Sequence, residues 1–174
     1  MRALRLPLLL AAGLCLAAFD DPAGRYAIDF PEGWATTSTS PEGFTFAKEP
    51  NSSTNCGAKA APVAAFDGMT QDQINAELFT NPLFVTDWAG VFAANSALLT
   101  LESGEVIEVN GLKMQIATIV FGAGFENIPY ETKGRVVVTA TPGIVYIGTC
   151  LAETANFDGF SEIFETTVRS LRPL

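Results

Sequence analysis

The strongest constraint on the fold is a succession of short apolar segments, separated by turn signals, that begins near residue 97. Asn110-Gly111 separates two of these segments, and Pro142-Gly143 separates the last two. Asn-Gly between such segments is typical of a two-residue hairpin, which joins antiparallel strands. The pattern therefore predicts a sheet built from hairpins, and not a doubly wound parallel sheet with a helix between successive strands. In order, the predicted strands read ALLTLES, EVIEV, LKMQIATIVF, GRVVVTA and GIVYIGTCLAE.

Three segments with helical spacing supply the layers that such a sheet needs. Within VVV and IVYI the apolar residues fall on both faces of the strand, which predicts a sheet covered on both sides. Thr70 and Gln73 have capping-box spacing ahead of a first helix, and Asn81-Pro82 predicts the start of a second. The apolar stripes of the second and of a C-terminal helix are Phe84, Trp88, Val91 and Phe92, and Phe157, Phe160, Phe164, Val168 and Leu171. We therefore predict an α/β (α+β) fold, a three-layer α/β/α sandwich around a mainly antiparallel central sheet.

The N-terminus predicts export. Arg2 and Arg5 precede an apolar stretch over residues 6–18, which is shorter than the roughly 20 residues that cross a bilayer. A basic start, a short apolar stretch and small residues after it are typical of a secretory signal peptide. Cleavage after Ala17 or Ala18 fits the small residues required there, and the predicted localisation is periplasmic or secreted.

The predicted signal peptide spans residues 1–18 and leaves one domain over residues 19–174. Cys15 offers an alternative, which is lipid attachment as in bacterial lipoproteins. Leu14 stands where the lipoprotein pattern has a small residue, so removal of Cys15 with the signal is favoured. Without that lipid, no stable membrane anchor is expected in the mature chain.

The charge balance excludes several partners. The chain has 10 basic and 19 acidic residues, no histidine and a net charge of −9. Removal of the signal peptide would leave 8 basic residues against 19 acidic ones, a net charge of −11. Such a surface repels phosphate backbones and anionic headgroups, so no nucleic acid is expected as a partner.

Two cysteines remain after the signal peptide, Cys56 and Cys150. An even pair in an exported protein predicts a disulfide, although two buried free thiols are the alternative. A bridge across so long a loop would stabilise the fold by about 4–5 kcal/mol on the chain-entropy model.

Much enzyme chemistry is excluded by composition. Without histidine there is no Ser-His-Asp or Cys-His catalysis and no imidazole zinc site, and two cysteines cannot form a thiolate zinc site. No cofactor or metal is therefore predicted. Glu102, Glu105 and Glu108, around an expected turn at Ser103-Gly104, leave a carboxylate-dependent hydrolase as an alternative. That alternative requires the carboxylates to converge in a cleft; otherwise the three form a solvated edge.

Two sets of apolar residues are candidates for contact with a protein partner. Phe125, Ile128 and Tyr130 lie in an expected loop, and Trp88 lies in the stripe of the second predicted helix. If they are exposed together they form a contact patch, whereas if they face inward they complete the core. The 13 phenylalanines leave a third hypothesis, a carrier of a small apolar ligand.

Both ends of the mature chain resemble PsbP-like domains. The stretch YAIDFPEGW, residues 26–34, is similar to the entry of those domains, where an aromatic-rich strand meets a Pro-x-Gly-Trp turn. VYIGT followed by a helix with Phe160, Phe164 and Ser170-Leu171 resembles their ending. The family includes photosystem subunits of the thylakoid lumen and bacterial exported proteins, among them DcrB-like lipoproteins. The resemblance implies an exported, mostly non-catalytic domain that binds a protein partner or assists assembly. The photosystem role involves basic and histidine-bearing regions, which this acidic chain lacks, and is not carried over.

Overall fold

The computed structural model describes residues 16–38, 45–80, 99–123 and 129–174. These residues form ten strands, two α-helices and two short 3-10 turns. The strands are β1 (Leu16–Asp20), β2 (Tyr26–Pro31), β3 (Ala35–Ser38), β4 (Thr45–Lys48), β5 (Asn55–Pro62), β6 (Leu99–Val109), β7 (Leu112–Phe121), β8 (Thr132–Thr141), β9 (Ile144–Glu153) and β10 (Arg172–Pro173). The helices are α1 (Gln71–Thr80) and α2 (Phe157–Arg169). The predicted second helix, with Trp88, lies outside the described residues.

Among the described strands, seven form the main sheet, in the order β3-β4-β5-β9-β8-β7-β6, with every neighbouring pair antiparallel. Asn110 and Gly111 have φ of 52° and 80°, as a two-residue hairpin turn requires at both central positions. Gly143, with φ of 77°, closes the β8–β9 hairpin. Both hairpins predicted from turn chemistry are confirmed.

The sheet is covered on both faces, which confirms the three-layer α/β/α arrangement. α2 packs over β8 and β9 on one face, and α1 packs over β7 and β8 on the other. Val136, Val137 and Val138 expose no surface because successive side chains of β8 enter opposite layers of the core. The α2 layer contains Ile116, Val137, Phe157, Phe164 and Val168, and the α1 layer contains Ile74, Leu78, Ile119, Val136 and Val138.

Each helix is held by the feature that predicted it. In α1, Gln73 Oε1 accepts from the Thr70 N–H at 2.8 Å, and Thr70 Oγ1 accepts from the Gln73 N–H at 3.3 Å, which is a reciprocal capping box. In α2, Phe164 is fully buried, with its ring centroid 5.8 Å from that of Phe157 and 5.7 Å from that of Phe160. The two helices are therefore anchored by local capping and by aromatic burial, respectively.

The alternating residues of YAIDF and the Pro-Glu-Gly turn after them predict that residues 26–34 form the first edge and corner of the main sheet, and this prediction is wrong. β2 is the central strand of a separate three-stranded sheet, between β1 and β10. Its side chains still enter the α2 layer of the core, and the Tyr26 hydroxyl donates to the Ala58 carbonyl of β5 at 3.0 Å. Pro31, which cannot donate to a ladder, ends β2, and the turn at Glu32-Gly33 redirects the chain into β3, the true edge.

β1 includes residues from the end of the predicted signal peptide. Leu16 and Ala17 pair with Pro31 and Phe30, and the ring of Phe19 lies 5.8 Å from that of Phe30. Cleavage after Ala18 would keep only Phe19 and Asp20 of this strand. The signal peptide and the mature domain stay predictions. No helix among the described residues is long and apolar enough to span a membrane.

The predicted disulfide is present in the structure. Cys56 of β5 lies directly opposite Cys150 of β9, with the Cα atoms 4.0 Å apart, and the two sulfurs are bonded. Neither cysteine exposes any surface, because both lie in the core layer beneath α2. The bridge therefore joins two interior strands at a site shielded from solvent.

Candidate interaction surface

Three of the four predicted contact residues, Phe125, Ile128 and Trp88, lie outside the described residues. The fourth, Tyr130, is half-buried just before β8. Its hydroxyl donates to Ser53 Oγ at 2.8 Å, which joins the segment before β8 to the β4–β5 connection. The role of these four residues in partner contact therefore stays a prediction.

The three glutamates of the hydrolase alternative lie along one strand and do not converge. The expected turn at Ser103-Gly104 is absent; β6 continues through it, with a bulge between Leu101 and Ser103. The bulge accommodates Glu102 as an extra residue, and Ser103 and Gly104 then pair with Thr118 and Ala117 of β7. Glu105 pairs with a residue of the α2 face and Glu108 with a residue of the α1 face, so the sheet separates them. This set does not form a carboxylate pair in a cleft.

Glu105 belongs to a network of ion pairs beside α2. Arg135 Nη2 lies 3.1 Å from Glu105 Oε1, and Arg135 Nε lies 2.6 Å from Glu165 Oε2. Arg169 bonds the same two carboxylates, and its bond to Glu165 is an i,i+4 pair on the surface of the helix. Because Arg135 is on β8, Glu105 on β6 and the other two on α2, the network ties the helix to the sheet.

This network also sets the protonation of Glu165. Burial raises its pKa, but hydrogen bonds from Arg135 and Arg169 outweigh that effect, so the pKa lies below its usual value. A general acid near neutral pH needs the opposite shift. Glu165 is therefore an ionised structural partner.

A second ion pair extends the network along the α2 face. Lys133 Nζ lies 2.6 Å from Glu102 Oε2 and 4.9 Å from the centroid of the Phe157 ring. The ammonium thus meets both a carboxylate and an aromatic face at the start of α2. Two of the three glutamates on β6 therefore have basic partners on the α2 side.

The outer edge of the sheet is a surface that the sequence reasoning missed. β6 is the terminal strand, and Leu101, Val106 and Val109 expose 40%, 38% and 40% of their surface. EVIEV carries apolar residues on both faces, the same signal that predicted covered strands in VVV and IVYI. Here the strand is exposed instead. We call residues 99–109 and their exposed side chains the β6 edge.

Solved structures resemble this fold, although no protein-family model and no curated protein matches the sequence. The solution structure of cyanobacterial PsbP (CyanoP) from Synechocystis sp. PCC 6803 has a TM-score of 0.63 at 13% identity, and the match covers 92% of this chain and 94% of that one. The fold is PsbP-like. Within it, Trp34 at the end of YAIDFPEGW packs edge-on against Phe160 of α2, with ring centroids 6.3 Å apart. The two segments that carry the resemblance are thus in contact.

Two further structures share the PsbP-like fold at similar distance. A crystal structure from Bacteroides thetaiotaomicron VPI-5482 has a TM-score of 0.56 at 11% identity, and the match covers 91% of this chain and 48% of that one. The Pseudomonas aeruginosa protein of unknown function PA94 has a TM-score of 0.54 at 12% identity, covering 91% and 97%. At these identities the likeness concerns the fold, and the DcrB-like part of the resemblance stays a prediction.

Proposed function

We propose that this protein is an exported, non-catalytic accessory domain that binds a protein partner or assists assembly. The observation that carries the proposal is the PsbP-like fold, which takes up 92% of the chain in the match with the cyanobacterial protein. A fold can host many functions, so the proposal also needs support from the site.

Support for a non-catalytic role comes from the state of the carboxylates. Glu102, Glu105 and Glu165 are engaged by lysine or arginine, and Glu108 lies across the sheet from Glu105. With no histidine in the chain, ordinary acid–base groups near neutral pH are also missing. What the surface offers instead is exposed aliphatic side chains on a strand edge, which suit binding.

Support for export comes from the predicted signal peptide together with the buried disulfide. Disulfides persist in oxidising compartments and are rare where glutathione keeps thiols reduced. Cys56 and Cys150 lie directly opposite each other where β5 pairs with β9, so the sheet itself brings the two side chains together.

Two measurements on the native cell test this proposal. Fractionation should recover the chain from the exported fraction, with an N-terminus after Ala17 or Ala18 and with both remaining cysteines resistant to alkylation until reduced. Crosslinking before affinity purification should then yield a stoichiometric protein partner. Recovery of the chain from the cytoplasm would refute export, and recovery as a free monomer after crosslinking would refute partner binding.

A further inference from the structure

The outer side of β6 can accept another strand. Among the described residues nothing pairs with it, and from residue 100 to residue 110 only Ile107 is even half-buried. A strand edge of this kind presents unpaired N–H and C=O groups that can pair with another chain. Beyond the bulge, residues 103–109 keep an unbroken register with β7, so a regular strand can be added alongside them.

The β6–β7 hairpin indicates which groups point outward. Val109 and Leu112 flank its two-residue turn and pair directly, so their N–H and C=O groups bond each other across the ladder. Because these groups alternate along a strand, those of Gly104, Val106 and Glu108 point away from β7. The same three residues lie on the α1 face, since their partners on β7 do.

Among the residues that the structure describes, no packing contact requires glycine at position 104. A Cβ at Gly57, Gly134 or Gly148 would lie 2.8, 2.4 or 2.9 Å from the nearest side-chain atom, so a side chain at these strand positions would force a neighbour to move. At Gly104 the nearest atoms would be 3.8 and 4.0 Å away, which is ordinary contact. Glycine weakens a strand interior and often marks the close approach of another chain. Here it leaves a gap between Leu101 and Val106 on the α1 face.

The charges of the edge favour a basic partner. Glu102 and Glu105 have basic partners on the α2 side, whereas Glu108 forms no salt bridge among the described residues, although Lys113 lies opposite it in the β6–β7 register. The chain as a whole carries a net charge of −9, so a second copy would meet repulsion of like sign. An extended segment with a basic side chain opposite Glu108 would instead be attracted.

We propose that residues 103–109 bind an extended segment of a partner protein as one further strand of the sheet. In that segment, alternate side chains face the α1 layer: a basic one at Glu108, an aliphatic one at Val106 and an aromatic one over Gly104. This rests on the proposed function and deepens it, because it names the surface and the chemistry of the protein partner.

The probe is a synthetic heptapeptide, Thr-Lys-Thr-Val-Thr-Phe-Thr, which presents those three side chains to the α1 face in antiparallel pairing. Its reversed sequence tests parallel pairing. We expect one of the two to bind the full chain with a Kd below about 1 mM and to protect the outward amides of residues 104, 106 and 108 from hydrogen exchange. A version N-methylated on its pairing edge should not bind.

Two variants at position 106 distinguish main-chain strand pairing from nonspecific apolar binding. Val106→Pro removes an outward N–H, a change that edge strands tolerate, and should weaken binding by about tenfold or more because main-chain pairing is lost. Val106→Thr keeps the N–H and should bind nearly as well. Glu108→Gln removes the charge without placing two basic side chains opposite each other, as lysine would against Lys113. It should weaken binding, and its melting temperature shows whether a loss of binding reflects a failure to fold.

Three results would overturn the proposal. The first is that neither peptide binds the chain. The second is that the peptide binds the Val106→Pro and Val106→Thr variants equally well. The third is that the chain self-associates and that Val106→Pro abolishes this self-association. Crosslinking in the cell from a photoreactive residue at position 101 or at position 130 distinguishes failure of the strand-pairing proposal from failure of the proposed function. A partner crosslinked only from position 130 would reject the β6 edge while leaving partner binding intact.

Discussion

Removal of the disulfide is the perturbation whose size follows most directly from the structure. Cys56 and Cys150 are 94 residues apart in sequence, so the bridge closes a loop that includes most of the main sheet. On the chain-entropy model, a loop of this length stabilises the folded state by about 4.7 kcal/mol at 25 °C. Substitution of both residues by alanine also removes two buried sulfurs, a further cost on the order of 1 kcal/mol.

Chemical unfolding of the Cys56→Ala/Cys150→Ala variant measures this loss. We expect a lower urea midpoint, a melting temperature lower by about 10–20 °C, and a larger m-value because the unfolded chain expands. The control is the native sequence unfolded with a reductant, which removes the crosslink and keeps both sulfurs. A loss below about 1 kcal/mol in both would refute the view that the bridge stabilises by restricting the unfolded chain.

Three further predictions concern other contacts. Phe164→Ala should destabilise the fold by about 3–5 kcal/mol in urea, because the ring is fully buried; a cost under about 1 kcal/mol would contradict the α2 core. Arg135→Met should cost about 1–3 kcal/mol and raise the pKa of Glu165 in an NMR titration, and an unchanged pKa would reject the network. Hydrogen bonds from Arg25 lower the pKa of Asp21 below its ordinary 3.8. The stabilisation from this ion pair is therefore complete above the ordinary pKa of Asp21 and is lost as the pH falls through its lowered pKa. In Asp21→Asn, the urea midpoint should fall less steeply as the pH is lowered in the acid range. An equally steep fall in the variant would show that this carboxylate is not responsible.

Turn chemistry and periodicity predicted most of the main sheet. Asn110-Gly111 and Pro142-Gly143 specify their hairpins locally, because the required backbone angles depend on the turn residues themselves. The capping box at Thr70 is equally local. Pro62 by itself predicts an edge strand or a bulge, but it ends the interior strand β5, where its missing N–H breaks no later pairing.

What the sequence could not predict depends on distant contacts. β2 belongs to a separate sheet because Arg172 and Pro173 pair with its start and because Ser170 Oγ accepts from the Asp29 N–H at 2.7 Å, contacts that span more than a hundred residues. Likewise the partners of Glu105 are 30 and 64 residues away. Periodicity identifies a strand but not its neighbour, so neither the small sheet nor the exposed β6 edge was visible.

The most direct test of the account compares the Val106→Pro and Val106→Thr variants as tagged proteins purified from the native compartment after crosslinking. If this protein binds its partner through the β6 edge, the same partner should copurify in stoichiometric amount with the native chain and with the threonine variant. It should not copurify with the proline variant, even when that variant is as abundant as the native chain. A chain that purifies alone in all three cases, or a partner retained equally by all three, would contradict it.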